Sequence, residues 1–182
     1  MIKKLALSLL VTLALFVASA MSFALADDDD DCMERDGYER VAVSGTGIHD
    51  FNTKILHRQK ETPRKLREIS TETIDLSGDL EGRVLYQPKG VTDKAAGTLV
   101  NTGRQVFSGT ILNSRPVIVF DDEFRFDVNF YTGEVRGKVY LNQRIAGPKI
   151  TCELEIVNSD QPPVDNRTFS NYSGYCWIKK DD

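Results

Sequence analysis

An all-β fold is what this 182-residue sequence predicts: a single small antiparallel β-barrel of about eight strands, with a β-sandwich as the alternative. Three observations carry that expectation. Apolar and polar residues alternate at period two in several separate stretches, Gly, Asn, Asp and Ser turns punctuate them, and no stretch beyond the N-terminal leader repeats apolar residues at helical spacing. Barrel closure also removes exposed sheet edges, which favours the barrel over the sandwich.

The clearest element lies at residues 123–141. Phe124, Phe126, Val128 and Phe130 share one face, while Arg125, Asp127 and Asn129 share the other. Thr132-Gly133 supplies a turn, after which Val135, Val139 and Leu141 oppose Arg136, Lys138 and Tyr140. Together these make a β-hairpin. Residues 151–157 alternate again, with Cys152, Leu154 and Ile156 opposing Glu153 and Glu155. Further strands are expected at 38–47, 69–76, 82–87, 97–101, 105–112, 116–120 and 174–179. Residues 50–66, rich in Lys, Arg and Gln, and residues 159–173, opened by Pro162-Pro163, read as loops.

Ahead of the strands stands a segment that is not part of the domain. Lys3 and Lys4 precede an apolar run over 5–17, and Ala24-Leu25-Ala26 has the small-x-small pattern of a signal-peptidase site. The expected division is a signal peptide at 1–26 cleaved after Ala26, an acidic mobile segment at 27–36, and the barrel at 37–182. The apolar run is short for a bilayer-spanning helix, so no membrane span is expected after cleavage. Export to the periplasm or to the medium follows. Losing Lys3 and Lys4 takes the formal charge from -4 to -6, an acidic balance that argues against a nucleic-acid-binding domain.

Three cysteines in an exported chain predict a disulfide with one thiol left over. Cys152 with Cys176 is the expected pair, because both fall in late strand segments that a meander brings together; Cys32 lies in the acidic head, and its pairings stay open. Closing a loop of about 24 residues stabilises by roughly 3 kcal/mol in the chain-entropy model.

No metal site or cofactor is expected. His49 and His57 are the only histidines, no short ligand spacing of the zinc type surrounds them, and both read as loop residues. Gly45-Thr-Gly47 opens like a dinucleotide fingerprint, but no helix follows. A Gly-x-Ser-x-Gly elbow is absent. The acidic pairs Asp75 with Asp79 or Glu81, and Asp121 with Asp122, read as turn and surface acids. No catalytic residue is assigned; Glu72 is the one candidate. It shares parity with Ile74 and Leu76, which places it at the mouth of a barrel, where desolvation would raise its pKa. Phe124, Phe126, Phe130, Tyr140 and Trp177 are the candidates for cavity or core.

The stretch from Thr71 through Gly82, followed by Arg83-Val-Leu-Tyr86 and later by Gln105-Val-Phe-Ser-Gly-Thr110, resembles strand motifs of small bacterial proteins grouped with the allene oxide cyclase and dirigent-type barrels, over about a third of the chain. The resemblance implies an eight-stranded antiparallel barrel with an apolar cavity, used in some members to steer a cyclisation or a radical coupling. No family catalytic residue maps onto this sequence. The function expected from the whole reading is binding rather than catalysis: an exported barrel holding a small apolar or amphipathic ligand, or meeting an envelope component. The alternative is a cofactor-independent cyclase or isomerase acting in the cavity.

Overall fold

Alternating sequence becomes strand over almost all of residues 37–180, the part of the chain that the computed structural model describes. The leader, cleavage at Ala26, the acidic segment and Cys32 lie outside the described residues. Eleven strands follow in order: β1 (Tyr38–Asp50), β2 (Ile55–Glu61), β3 (Lys65–Gly78), β4 (Leu80–Asp93), β5 (Thr98–Ile111), β6 (Val117–Asp121), β7 (Arg125–Asn129), β8 (Glu134–Leu141), β9 (Gln143–Ala146), β10 (Ile150–Asn158) and β11 (Arg167–Lys179). A 3-10 turn, Phe51–Thr53, joins β1 to β2.

Eight of these strands close an antiparallel barrel. Around the ring, β1 pairs with β11, β11 with β10, β10 with β8, β8 with β7, β7 with β5, β5 with β4, β4 with β3, and β3 with β1. The long strands β3 and β5 each serve two neighbours along one edge. β3 pairs with β1 through residues 74–78 and with β2 through residues 66–71, while β5 pairs with β7 through 98–102 and with β6 through 105–109. β9 adds to β6. Among the described residues no helix is long and apolar enough to cross a membrane.

The expected hairpin forms as β7 and β8, with Phe126 opposite Gly137 and Val128 opposite Val135. Three expectations need correction. Residues 50–66 are not a loop. They contain β2, which bonds to β3 but leaves all seven of its side chains exposed, so no hydrophobic period marks it. Residues 159–173 are a loop only in part, because β11 begins at Arg167, just after Asp165 and Asn166 turn the chain at φ 50° and 60°. Residues 97–101 and 105–112 belong to one continuous strand, β5. Gly103, between the two expected strands, serves close approach: a Cβ there would lie 2.2 Å from the Gln87 carbonyl oxygen of β4.

The core fills the end of the barrel where β1 and β4 begin. Leu80, Phe107, Ile111, Val119, Leu141 and Ile150 are essentially sealed from solvent, and each such side chain contributes about 1.5–3 kcal/mol through burial. Cys152 and Cys176 face each other directly across β10 and β11 and are joined by a disulfide, with their Cα atoms 4.1 Å apart.

Tyr172 braces the β3–β4 turn from β11. Its hydroxyl accepts from the Leu80 amide at 2.8 Å and lies 3.2 Å from the Ser77 carbonyl oxygen. Gly45 makes room for it, since a Cβ there would stand 2.3 Å from that hydroxyl. Tyr172→Phe leaves the Leu80 amide without this partner in a buried site. Chemical denaturation should therefore show the variant less stable by about 1–3 kcal/mol.

Candidate functional site

Strand parity decides which side chains meet inside the other end of the barrel. On β3, Ser70, Glu72, Ile74 and Leu76 turn inward; Ser70 and Glu72 are buried at 2% and 4% exposure. On β4, Tyr86 stands directly opposite Glu72 and is buried as well. On β1, the inward series Val41, Val43, Gly45 and Gly47 ends on His49. Three strands thus deliver a hydroxyl, a carboxylate, a phenol and an imidazole to one point.

The four groups bond to each other. Ser70 Oγ donates to Glu72 Oε1 at 2.5 Å, and Tyr86 Oη donates to Glu72 Oε2 at 2.9 Å. His49 Nε2 lies 2.7 Å from the same Oε2 and 3.0 Å from Tyr86 Oη. Lys54, entering from the 3-10 turn, sets its ammonium 3.5 Å from Glu68 Oε2 and 3.8 Å from Glu72 Oε1. Aromatic rings flank the cluster in a connected run. Phe51 lies 4.0 Å from the His49 ring, His49 5.6 Å from Tyr86, Tyr86 5.9 Å from Phe124, and Phe124 5.7 Å from Phe126. Phe51 is 42% exposed, so this run connects solvent with the buried carboxylate.

Burial was expected to raise the pKa of Glu72, and burial is indeed the largest single influence on it, acting upward. It is outweighed. Hydrogen bonds from His49, Ser70 and Tyr86, with the charge of a protonated His49, hold the carboxyl down at about 2. Burial and the neighbouring Glu72 charge push the Tyr86 phenol up. Glu72 is therefore an ionised organiser with both oxygens occupied rather than a free acid. Within the cluster, the Lys54 side chain is 28% exposed against 17% for His49.

Other candidate residues divide between the interior and the surface. Phe124 is buried and Phe126 half-buried beside it. Phe130 is 54% exposed, because β7 ends at Asn129 and the alternation does not continue into the turn. Tyr140 is half-buried on the outer face, between the inward Val139 and Leu141. Trp177, one step from the inward Cys176, lines a surface depression with Arg40 and Tyr175. His57 is exposed on β2, its Nε2 2.8 Å from Thr71 Oγ1. Asp121 is not a surface acid: it is fully buried and accepts from Gln105 Nε2, the Glu123 amide and the Tyr140 amide. Asp75 forms an exposed ion pair with Arg83.

Sequence reasoning missed His49, Tyr86 and Ser70 as partners of Glu72. The parity of Val41 and Val43, extended to residue 49, would have found the first, and that of Val84 the second. No family model, curated protein or solved structure matches the chain.

Proposed function

We propose that this chain is an exported small-barrel binding protein that takes an apolar or amphipathic small molecule at the end of the barrel holding Glu72. The observation that carries the reading is the bonded cluster of Ser70, Glu72, His49 and Tyr86, reached from solvent along a run of aromatic rings. Burying a charge is costly unless it is paired and hydrogen-bonded, and Ser70, His49 and Tyr86 supply that pairing here. The ligand's apolar part packs on Phe51 and displaces water from it. Its polar end meets Lys54 and His49. The disulfide supports passage through an oxidising compartment, as does the leader pattern of the sequence.

Native mass spectrometry of the protein recovered after export tests this. A species heavier than the denatured chain is expected, along with a loss of two hydrogens for the disulfide. An anionic apolar fluorophore such as anilinonaphthalene sulfonate should bind and compete with the co-purified molecule, and Lys54→Glu should weaken it at least fivefold. A bare mass together with no fluorophore binding would remove the proposal.

A second reading rests on the same trio of carboxylate, imidazole and phenol. It is the cofactor-independent cyclase or isomerase that the allene oxide cyclase resemblance suggests, with His49 moving the proton and Glu72 fixing its ring. The two readings separate on the co-purified molecule. If the wild type converts it and His49→Gln still binds it without converting it, the enzyme reading holds; if neither protein alters it, binding alone remains.

A further inference from the structure

Residues 54–67 hold six cations and one acid in a chain whose formal charge is -4. Strand register turns this local excess into a surface. Lys60 stands directly opposite Arg67, Arg58 opposite Ile69, and Ile69 in turn opposite Lys89. Arg67 faces Val91, and Arg104 faces Gln87 one strand further on. Arg58, Lys60, Lys65, Arg67, Lys89 and Arg104 are all exposed. Among the described residues none of the six lies within ion-pair distance of an acid.

The acids nearby do not cancel this field. Glu61 is taken by Lys94. Asp93, opposite Lys65, accepts from the Ala95 and Ala96 amides and offsets only Lys65 and Arg64, at one edge of the face. Like charges directly opposite on neighbouring strands destabilise a sheet, so the Lys60–Arg67 pair works against the fold that carries it. Apolar side chains stand among the cations on the same face: Val91 is 37% exposed and Leu85 52%. Tyr131, 73% exposed in the adjoining turn, donates its hydroxyl to the Ala95 carbonyl oxygen.

We propose that this face, spread over β2, β3, β4 and β5, docks the barrel on an anionic lipid surface. Cations interleaved with aliphatic side chains and edged by a tyrosine suit a headgroup layer, where charge meets phosphate and the apolar groups enter the interfacial region. A phosphodiester strand would use the cations alone. Nucleic acid is further disfavoured because the face presents no row of exposed aromatic rings on which bases stack. This inference does not depend on the ligand proposed for the barrel interior.

The test is flotation of the protein recovered after export with vesicles of phosphatidylglycerol and phosphatidylcholine against vesicles of phosphatidylcholine alone. Binding is expected to the anionic vesicles only, and to be lost at about 1 M salt, where screening extends over roughly 3 Å. Each cation near such a surface is worth about fivefold in partitioning. The double variant Lys60→Gln with Arg67→Gln should therefore bind about 25-fold more weakly. Lys149→Gln with Lys179→Gln, at the far end of the barrel, should stay within about twofold of wild type. Both doubles keep the N-terminal segment, so any affinity it has for lipid cancels in the comparison, and circular dichroism checks that both fold. Equal binding to both vesicle types, no loss in the Lys60 and Arg67 double, or tighter binding to a single-stranded oligonucleotide would each overturn the proposal.

Discussion

Acidification from pH 5 to pH 2 is expected to remove about 3 kcal/mol of stability through one residue, Glu72. Its carboxyl is held at about 2 in the folded protein, against 4.5 for the unperturbed side chain, and a shift of that size corresponds to about 3 kcal/mol. The sign follows from the direction of the shift. A carboxyl depressed by folding contributes its full stabilisation above the unfolded value, so the contribution is present at neutral pH. It disappears as protons reach the folded site, between roughly pH 5 and pH 2. Protonation also removes the charge that the His49 and Tyr86 bonds depend on. Glu72→Gln keeps the shape but not the charge, and should lose about 3 kcal/mol at pH 7 and show a flatter stability curve below pH 5. Glu72→Ala also leaves three polar partners facing a void, and should cost about 3–5 kcal/mol. Urea unfolding at pH 7, 4 and 3 reads all three proteins. If Glu72→Gln follows the acid profile of the wild type, Glu72 is not the residue whose titration is felt.

What the sequence makes legible depends on whether a signal is local. The β7–β8 hairpin is legible because its turn and both alternations sit within 20 residues, and the ladder needs nothing from elsewhere. β2 is not legible. It is an edge strand held by backbone bonds to β3, with every side chain in water, so its polar composition reads as a loop. Phe130 and Trp177 show the opposite error, in which aromatic bulk outweighed position. Tyr140 is more instructive, since alternation already set it opposite Val139 and Leu141, and the outer face is where it lies. Glu72 was legible as a residue near the barrel mouth with an altered pKa, yet the sign of the change was not. Desolvation can be inferred from the residue's own strand, whereas the donors that reverse it arrive from β1 and β4. The basic face was visible in composition over residues 54–67, but only register puts Lys89 and Arg104 beside it.

Replacing both bridged cysteines, Cys152→Ala with Cys176→Ala, is expected to lower the unfolding free energy by about 3 kcal/mol. The bridge spans 24 residues of sequence, and a cross-link of that length removes loop entropy from the unfolded chain on that scale. Almost none of the effect should come from the folded side. The two residues are paired near one end of the β10–β11 ladder, with six further pairs running on to Asn158 and Ser170, and that ladder holds the strands in register without the bridge. Both sulfurs are buried, at 3% and 0% residue exposure, so alanine leaves a small apolar gap and no stranded polar group; serine would bury a hydroxyl and confuse the reading. The far-ultraviolet spectrum of the double variant should therefore match the wild type while its denaturant midpoint falls. The same burial predicts that dithiothreitol reduces the wild-type bridge only as fast as the barrel opens, and adding sub-denaturing urea should accelerate reduction in step with unfolding. A loss under about 1 kcal/mol would mean that the unfolded chain already keeps β10 and β11 together, which the hairpin-like proximity of these strands in sequence makes the alternative worth measuring. Comparing the denaturant slope of the two proteins decides it, because a more expanded unfolded state in the double variant steepens that slope.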